Sequence, residues 1–188
     1  MDENYRELNQ SYQDLVDKMT LEEKASMCSG QDYWRTKAIL NLDIQGIMVT
    51  DGPHGLRKQI SEKSADGMGI SQQATCFPSA CALACSFDRD LMYKMGQALA
   101  KECLDKEVSV LLGPGINIKR SPLCGRNFEY YSEDPYITGK IAAAMVNGVE
   151  SEGVGTSIKH FAANNAETNR NSLNTIVSER ALREIYLE

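Results

Sequence analysis

The chain has 188 residues, 42% apolar and 24% charged, a balance that fits a soluble globular domain with a sizeable core and excludes a disordered or fibrous chain. Its net charge of -6, with the signs interspersed, offers no clustered basic face for neutralising phosphates, so nucleic acid is excluded as a partner and a neutral small molecule fits better. No run approaches the roughly 20 apolar residues that cross a bilayer, and the charged start Met-Asp-Glu-Asn-Tyr-Arg is unlike a secretory signal; the expectation is a cytoplasmic protein without a membrane partner.

The first thirty residues read as a helical lead-in. Thr20 and Glu23 have the spacing of a capping box ahead of Leu21–Cys28, where hydroxyl and carboxylate satisfy each other's orphan backbone donors. A strand over Ile44–Thr50 then meets Asp51-Gly52-Pro53. The polar stretch Lys58–Thr75, with Asp66-Gly-Met-Gly69 inside it, has no apolar period and is expected to be a surface loop or lid. Asp88 predicts the N-cap of a helix running to about Lys106, and Met92, Met95, Leu99 and Cys103 recur along it at spacings of three and four, a stripe that should face a sheet.

A second strand, Val108–Leu112, meets Gly113-Pro-Gly115 and a long loop carrying Arg120 and Arg126. Asp134-Pro135 opens the next helix with an N-cap and a proline whose missing N–H does no harm there; Ile137, Ile141, Ala144, Met145 and Gly148 form its expected buried face. Gly153 and Gly155 turn the chain into a third strand that stops at Lys159 and His160. Ser178 opens a last helix, Glu179–Glu188, that has no exit signal, so the chain reads as cut. A fourth strand is an option near Thr75–Ala80 or Thr175–Val177. No internal repeat or interdomain linker interrupts residues 1–188, which read as one partial domain.

Strands separated by helices, each strand ending in polar groups, define an α/β pattern of the (β/α)8 TIM-barrel type, where binding and catalytic side chains gather at the carboxyl ends of the strands. A complete barrel takes about 250 residues, so this sequence holds roughly the first half of one. The six cysteines, Cys28, Cys76, Cys81, Cys85, Cys103 and Cys124, read as reduced core residues, since a chain of this size and apolar fraction needs no staples.

Several of the strand-end groups carry recognisable chemistry. Asp51 presents a carboxylate that can accept two hydroxyl hydrogen bonds, or can simply tie its turn to its own backbone. Arg126 offers a planar fork of donors beside Gly125, with an internal ion pair to Glu129 or Glu133 as the rival reading. Lys159 and His160 are adjacent, so in an ideal strand they point to opposite faces and reach one ligand only if the strand end is distorted. The chain's other histidine, His54, lies beside Asp51. Arg170 follows an amide-rich segment, Asn164-Asn165-Ala-Glu-Thr-Asn169, that suits a rim recognising many hydroxyls. No phosphate-binding, dinucleotide-binding, nucleophile-elbow or zinc-protease motif is present, and Cys81 and Cys85 have no histidine nearby to complete a metal site, so neither cofactor nor metal is expected. Asp51, Glu129, Glu133, Asp134 and Glu167 have no evident acid/base partner. The residues alone reach as far as polyol-binding strand ends.

Four motifs in order, Val49-Thr-Asp-Gly-Pro-His-Gly-Leu-Arg57, Gly113–Glu129 with its Cys-Gly-Arg-Asn-Phe-Glu end, Ser132-Glu-Asp-Pro135 and Lys159-His-Phe161, resemble glycoside hydrolase family 3, and most closely its bacterial β-glucosidase branch. The resemblance runs from about Leu15 to Leu187. It implies an N-terminal barrel domain followed by an α/β sandwich domain that is absent here, and a small β-glucoside or oligosaccharide as ligand. It also implies that Asp51, Arg126, Lys159, His160 and Arg170 hydrogen-bond the non-reducing-end sugar. The retaining mechanism of the family needs an aspartate nucleophile and a separate acid/base carboxyl; the resemblance places both beyond Glu188, so no catalytic residue is assigned within the chain and no hydrolysis is expected from it alone. A β-xylosidase and a non-catalytic sugar-binding remnant are the alternatives. An incomplete barrel would also expose a sheet edge through which the chain could self-associate.

Overall fold

A computed structural model describes residue 10, residues 12–60 and residues 69–188. The middle of the expected lid, including Asp66, lies outside the described residues, as does the start of the helical lead-in. The chain divides into two compact units, Met1–Val49 and Thr50–Glu188.

In the first unit residues 12–17 are helical and helix α1 spans Leu21–Met27. Its capping box forms as the sequence requires: the Glu23 N–H donates to Thr20 Oγ1 at 3.2 Å, and the Thr20 N–H donates to Glu23 Oε2 at 2.8 Å. The expected strand over Ile44–Thr50 is not continuous. Ile39 and Ile44 exchange backbone hydrogen bonds of 2.8 and 3.1 Å, and the Thr36 N–H donates to the Ile47 carbonyl, so residues 44–48 form one arm of an antiparallel turn. A Cβ at Gly46 would sit 2.7 Å from the Thr36 carbonyl oxygen, which shows how closely the arms approach. The strand proper, β1, is only Val49–Asp51.

The second unit is built on a three-stranded sheet, β1, β2 (Val110–Leu112) and β3 (Gly155–Thr156), in that spatial order. Strands β2 and β3 run parallel, with Val110 opposite Gly155 and Leu111 opposite Thr156. The connections are helical: α2 (Ala80–Ala84) and α3 (Arg89–Asp105) lead from β1 to β2, and α4 (Pro135–Glu150) leads from β2 to β3. This is the β-α-β order of a parallel barrel. The optional fourth strand is absent from both candidate segments; Ala80 starts helix α2, and residues 175–177 have no strand partner.

Asp88 caps α3 by accepting from the Asp90 and Leu91 N–H groups, and Asp134 caps α4 by accepting from the Ile137 N–H, with Pro135 at the first helical position. The stripe Met92, Met95, Leu99 and Cys103 is buried as expected. In α4 the buried face is turned slightly from the expected one: Thr138, Ile141, Ala142, Met145, Gly148 and Val149 are buried, while Ile137 and Ala144 are half-buried. The reason is the crossing with α3, which is tight at two glycines. A Cβ on Gly96 would lie 2.5 Å from the Met145 carbonyl oxygen, and one on Gly148 would overlap the Tyr93 carbonyl.

All six cysteines are free, but only Cys103 and Cys124 are buried; Cys28, Cys76 and Cys85 are exposed and Cys81 is half-buried, so they are not core residues as a class. The described ends of the polar loop after β1 are paired, with Ile60 donating to Ile70 and Gln72 to Lys58 across an antiparallel stem. The last helix is shorter and less regular than expected, α5 at Glu179–Ala181 followed by a wide helical turn over Leu182–Tyr186. Tyr186 packs with Ile118 and Ala163, and its hydroxyl donates to Asn165 Oδ1 at 2.5 Å, which draws the backbone away from a regular helix toward that cluster. No helix among the described residues is long and apolar enough to cross a membrane.

Candidate functional site

Three strand ends supply the site. Asp51 is the last residue of β1, and Gly52 follows at φ +116°, a left-handed conformation open to glycine, so the chain leaves the sheet abruptly and the carboxylate stays at its edge. After β2 the loop passes under the third strand end: the Lys159 N–H donates to the Pro114 carbonyl at 2.9 Å, and the Ile116 N–H donates to the Lys159 carbonyl at 2.5 Å. These bonds fix the Lys159 backbone beside the loop that leads to Arg126.

Lys159 and His160 both reach the cluster, although they are adjacent. Strand β3 ends at Thr156, and beyond it Lys159 makes only an isolated parallel bridge to Gly115, so regular strand alternation does not fix the directions of the two side chains. Lys159 Nζ donates to Asp51 Oδ1 and lies 3.8 Å from Glu129 Oε2. Arg126 donates through Nε to Glu129 Oε1, lies 3.8 Å from Glu167 Oε2, and places Nη2 3.1 Å from His160 Nε2. His160 Nδ1 is 2.8 Å from the Tyr130 hydroxyl, which also accepts from Asn164 Nδ2 at 2.9 Å. Asp51, Arg126, Lys159 and His160 therefore form one connected group.

Arg170 is more remote. It is exposed and bonds Glu167 Oε2 at 3.1 Å, so it joins the cluster through that carboxylate and not directly. His54 packs edge-on against Phe128, ring centroids 5.7 Å apart, linking the loop after Asp51 to the short 3-10 turn Asn127–Glu129. Glu133, the other candidate partner for Arg126, is exposed on the surface.

Tyr130 is the residue that the sequence pattern does not mark, and Glu129, Asn164 and Glu167, though marked by it, hold the others in ways that it does not show. Glu129, only 4% exposed, joins Arg126 to Lys159. The internal ion pair with Arg126 forms as the rival reading has it; it fixes one edge of the guanidinium, with Nη1 toward Glu167 and Nη2 facing His160. Tyr130 is fully buried, and Asn164 and Glu167 bind each other at 3.0 Å. The amide-rich segment was the available signal for Asn164; nothing in the local pattern marked Tyr130.

The electrostatics follow from this packing. Burial opposes the charge on Asp51, but the hydrogen bond and charge of Lys159, with help from the Gly52 N–H and Arg126, outweigh it and hold the carboxyl below its usual range. Glu167 is likewise lowered, desolvation being overcome by Asn164, Arg126 and Arg170. Burial and then the neighbouring Arg126 charge push His160 below the ordinary histidine value, and burial does the same for His54. Burial raises the Tyr130 phenol to about 12, so it is a neutral hydrogen-bonding group. The arrangement is a ring of anchored cations and carboxylates around a neutral imidazole. It can present fixed donors and acceptors to the hydroxyls of a polyol. Among the described residues no group of three or more His, Cys, Asp or Glu could hold a metal ion.

The fold is that of an α/β protein with the opening β-α-β units of a parallel TIM-like barrel, with its polar residues at the strand ends. Residues 13–188 match the glycosyl hydrolase family 3 N terminal domain. The chain is 59% identical over 172 residues to the thermostable beta-glucosidase B of Acetivibrio thermocellus, covering 92% of this chain and 23% of that protein. It is 51% identical over 180 residues to the exo-alpha-(1->6)-L-arabinopyranosidase of Bifidobacterium breve, covering 95% of this chain and 24% of that one. Its structure is similar to that of beta-glucosidase 3B from Thermotoga neapolitana in complex with alpha-D-glucose, with a TM-score of 0.85 at 41% identity over 94% of this chain and 26% of that chain. The chain belongs to glycosyl hydrolase family 3, within the family's N-terminal domain. It spans about a quarter of the length of these relatives.

Proposed function

We propose that this chain supplies the glycone-binding face of a retaining β-glucosidase, in which Asp51, Arg126, Lys159 and His160 bind the hydroxyls of the non-reducing-end sugar and Arg170 forms part of the rim. The observation that carries this reading is the cluster itself: two carboxylate-anchored cations, a carboxylate and a neutral imidazole, drawn from three strand ends that are as many as 108 residues apart in sequence. Fixed donors and acceptors at the carboxyl edge of a parallel sheet are what recognition of a neutral polyol requires. The relatives named as β-glucosidases, and the glucose complex among the similar structures, support a hexose.

We further propose that residues 1–188 alone bind without hydrolysing. A retaining glycosidase needs two carboxyl groups about 5–5.5 Å apart, one free to attack and one able to give up a proton. Each carboxylate of this cluster is already engaged by a cation: Asp51 by Lys159, Glu129 by Arg126, and Glu167 by Arg126 and Arg170. Groups held in this way orient and recognise. The nucleophile and the acid/base belong, on this reading, to further sequence of a family 3 polypeptide.

A second reading, a pentopyranosidase, is favoured by one observation, the 51% identity to an arabinopyranosidase. A substrate panel separates the two. In an enzyme that continues this sequence with the remaining family 3 domains, kcat/KM for an aryl β-glucoside should exceed that for the aryl β-xyloside and the aryl α-L-arabinopyranoside. The reverse order would replace the hexose reading with the pentose one, and no turnover of any of the three would remove both.

A further inference from the structure

Tyr130 is the buried residue that the proposed function leaves without a role. Its side chain is fully enclosed, and its hydroxyl lies 2.8 Å from His160 Nδ1 and 2.9 Å from Asn164 Nδ2. On the other side of the imidazole, Nε2 lies 3.1 Å from Arg126 Nη2. Which ring nitrogen carries the proton is set by the partners of both.

The donor and acceptor inventory decides it. A guanidinium can only donate, so the nitrogen facing Arg126 must accept, and the proton of the neutral ring is on Nδ1. The Nδ1–H then donates to the Tyr130 oxygen. Asn164 also donates to that oxygen and gives its other amide hydrogen to Glu167 Oε1 at 3.0 Å, so the side-chain amide has its own orientation fixed. We infer that Arg126 sets the Nδ1–H tautomer of His160, and that Tyr130, held by Asn164, is a positioning residue that accepts the Nδ1 proton and keeps the Nε2 lone pair facing Arg126.

The inference assigns a chemical role to the His160 edge of the site. Resting on the sugar-binding reading, it makes that edge an acceptor beside a donor, so a ligand group that displaces their 3.1 Å hydrogen bond and inserts between Nε2 and the Arg126 Nη2–H must accept from the guanidinium and donate to the imidazole. A free hydroxyl does both. An ether or a fluorine only accepts, and leaves Nε2 without a donor.

The test does not need catalysis. His54 and His160 are the only two histidines in the sequence, so a long-range nitrogen–proton correlation spectrum of the full chain, labelled at histidine nitrogen, resolves both rings. At neutral pH the inference expects His160 to show a protonated Nδ1, slow to exchange with water, and an unprotonated Nε2. In Tyr130→Phe the Nδ1 proton should lose its protection against exchange and its signal should shift, while Nε2 stays unprotonated opposite Arg126, with the His54 signals unchanged as internal control. A wild-type His160 protonated at Nε2 overturns the inference, as does a folded Tyr130→Phe chain with an unchanged His160 spectrum. Should Tyr130→Phe fail to fold, the wild-type tautomer still decides. Titration with glucose is a separate arm: silence of the His160 signals there counts against the sugar-binding reading and leaves the tautomer assignment intact.

Discussion

Lys159 donates a hydrogen bond to Asp51, closing an ion pair between residues 108 positions apart and joining the end of the first strand to the segment beyond the third. Asp51 is partly exposed, with 37% of its side chain accessible, while Lys159 retains 16%. The pair therefore sits at the mouth of the cluster. Lys159 also lies within 3.8 Å of the buried Glu129, so two carboxylates aim one ammonium group. Such a group is preorganised to donate to a neutral ligand without rearrangement.

The first prediction concerns residues 1–188 by themselves. Purified free of host glucosidase, they should release no measurable aglycone from an aryl β-glucoside, in a burst or in steady state, because every carboxylate of the cluster is engaged by a cation. Sustained release in proportion to the protein added would show that a nucleophile lies within these residues.

The second concerns acid. Both histidines have folded values below the ordinary 6.5, so the folded state binds fewer protons than the unfolded state once the pH falls below that value. Their contribution to stability is complete above about pH 6.5 and is lost as pH falls from there toward the lowered folded values. Asp51 and Glu167, also lowered, keep their contributions above 3.8 and 4.5 and lose them on further acidification. Urea midpoints should thus fall in two stages, from pH 7 to 5 and again below about 4.5. A midpoint that is flat or rising between pH 7 and 5 contradicts the burial of neutral imidazoles.

The third concerns the crossing of α3 and α4. Leu99 is fully buried, and Leu99→Ala should cost about 2–5 kcal/mol. Gly96→Ala, which drives a methyl into the Met145 carbonyl, should cost about 1–3 kcal/mol although it adds apolar volume and helix propensity. Denaturant unfolding of the two variants checks both; a stabilised Gly96→Ala would mean that the helices are not in close contact there.

Much of this molecule was legible in its sequence because the informative signals are local. Thr20 with Glu23, Asp88, Asp134-Pro135 and Ser178 all cap helices, since a cap is a matter of two or three neighbouring residues. The buried stripe of α3 followed from its period. Local pattern misled where a more distant backbone decided the outcome: residues 44–48 read as the start of a strand continuous with Val49–Asp51 but pair with residues 35–39, and the buried face of α4 turns toward the position that close packing at Gly148 imposes. The exposed Cys28, Cys76 and Cys85 show that a thiol's burial depends on its place in the fold and not on its residue type.

At the site, strand-end position singled out Asp51, Lys159 and His160, and the glycine before Arg126 marked that residue. The structure brings these four together and leaves Arg170 at one remove. Tyr130, and the link from Glu129 to Lys159, were harder to find because they lie in contacts with residues 30 or more positions away, as in the Tyr130–His160 and Tyr130–Asn164 bonds. A sequence pattern cannot display a hydrogen bond between two loops.

The most direct measurement of the central claim is kcat/KM for an aryl β-glucoside in an enzyme that contains this sequence together with the rest of a family 3 polypeptide, comparing Lys159 with Lys159→Ala. Loss of a charged donor to sugar hydroxyls is worth about 1.5–3 kcal/mol, so kcat/KM should fall roughly ten- to more than a hundredfold. The far-ultraviolet circular dichroism and the unfolding cooperativity should be retained, because Glu129 keeps its bond to Arg126. A well-folded Lys159→Ala enzyme with unchanged kcat/KM would contradict the account and remove the Asp51–Lys159 pair from sugar recognition.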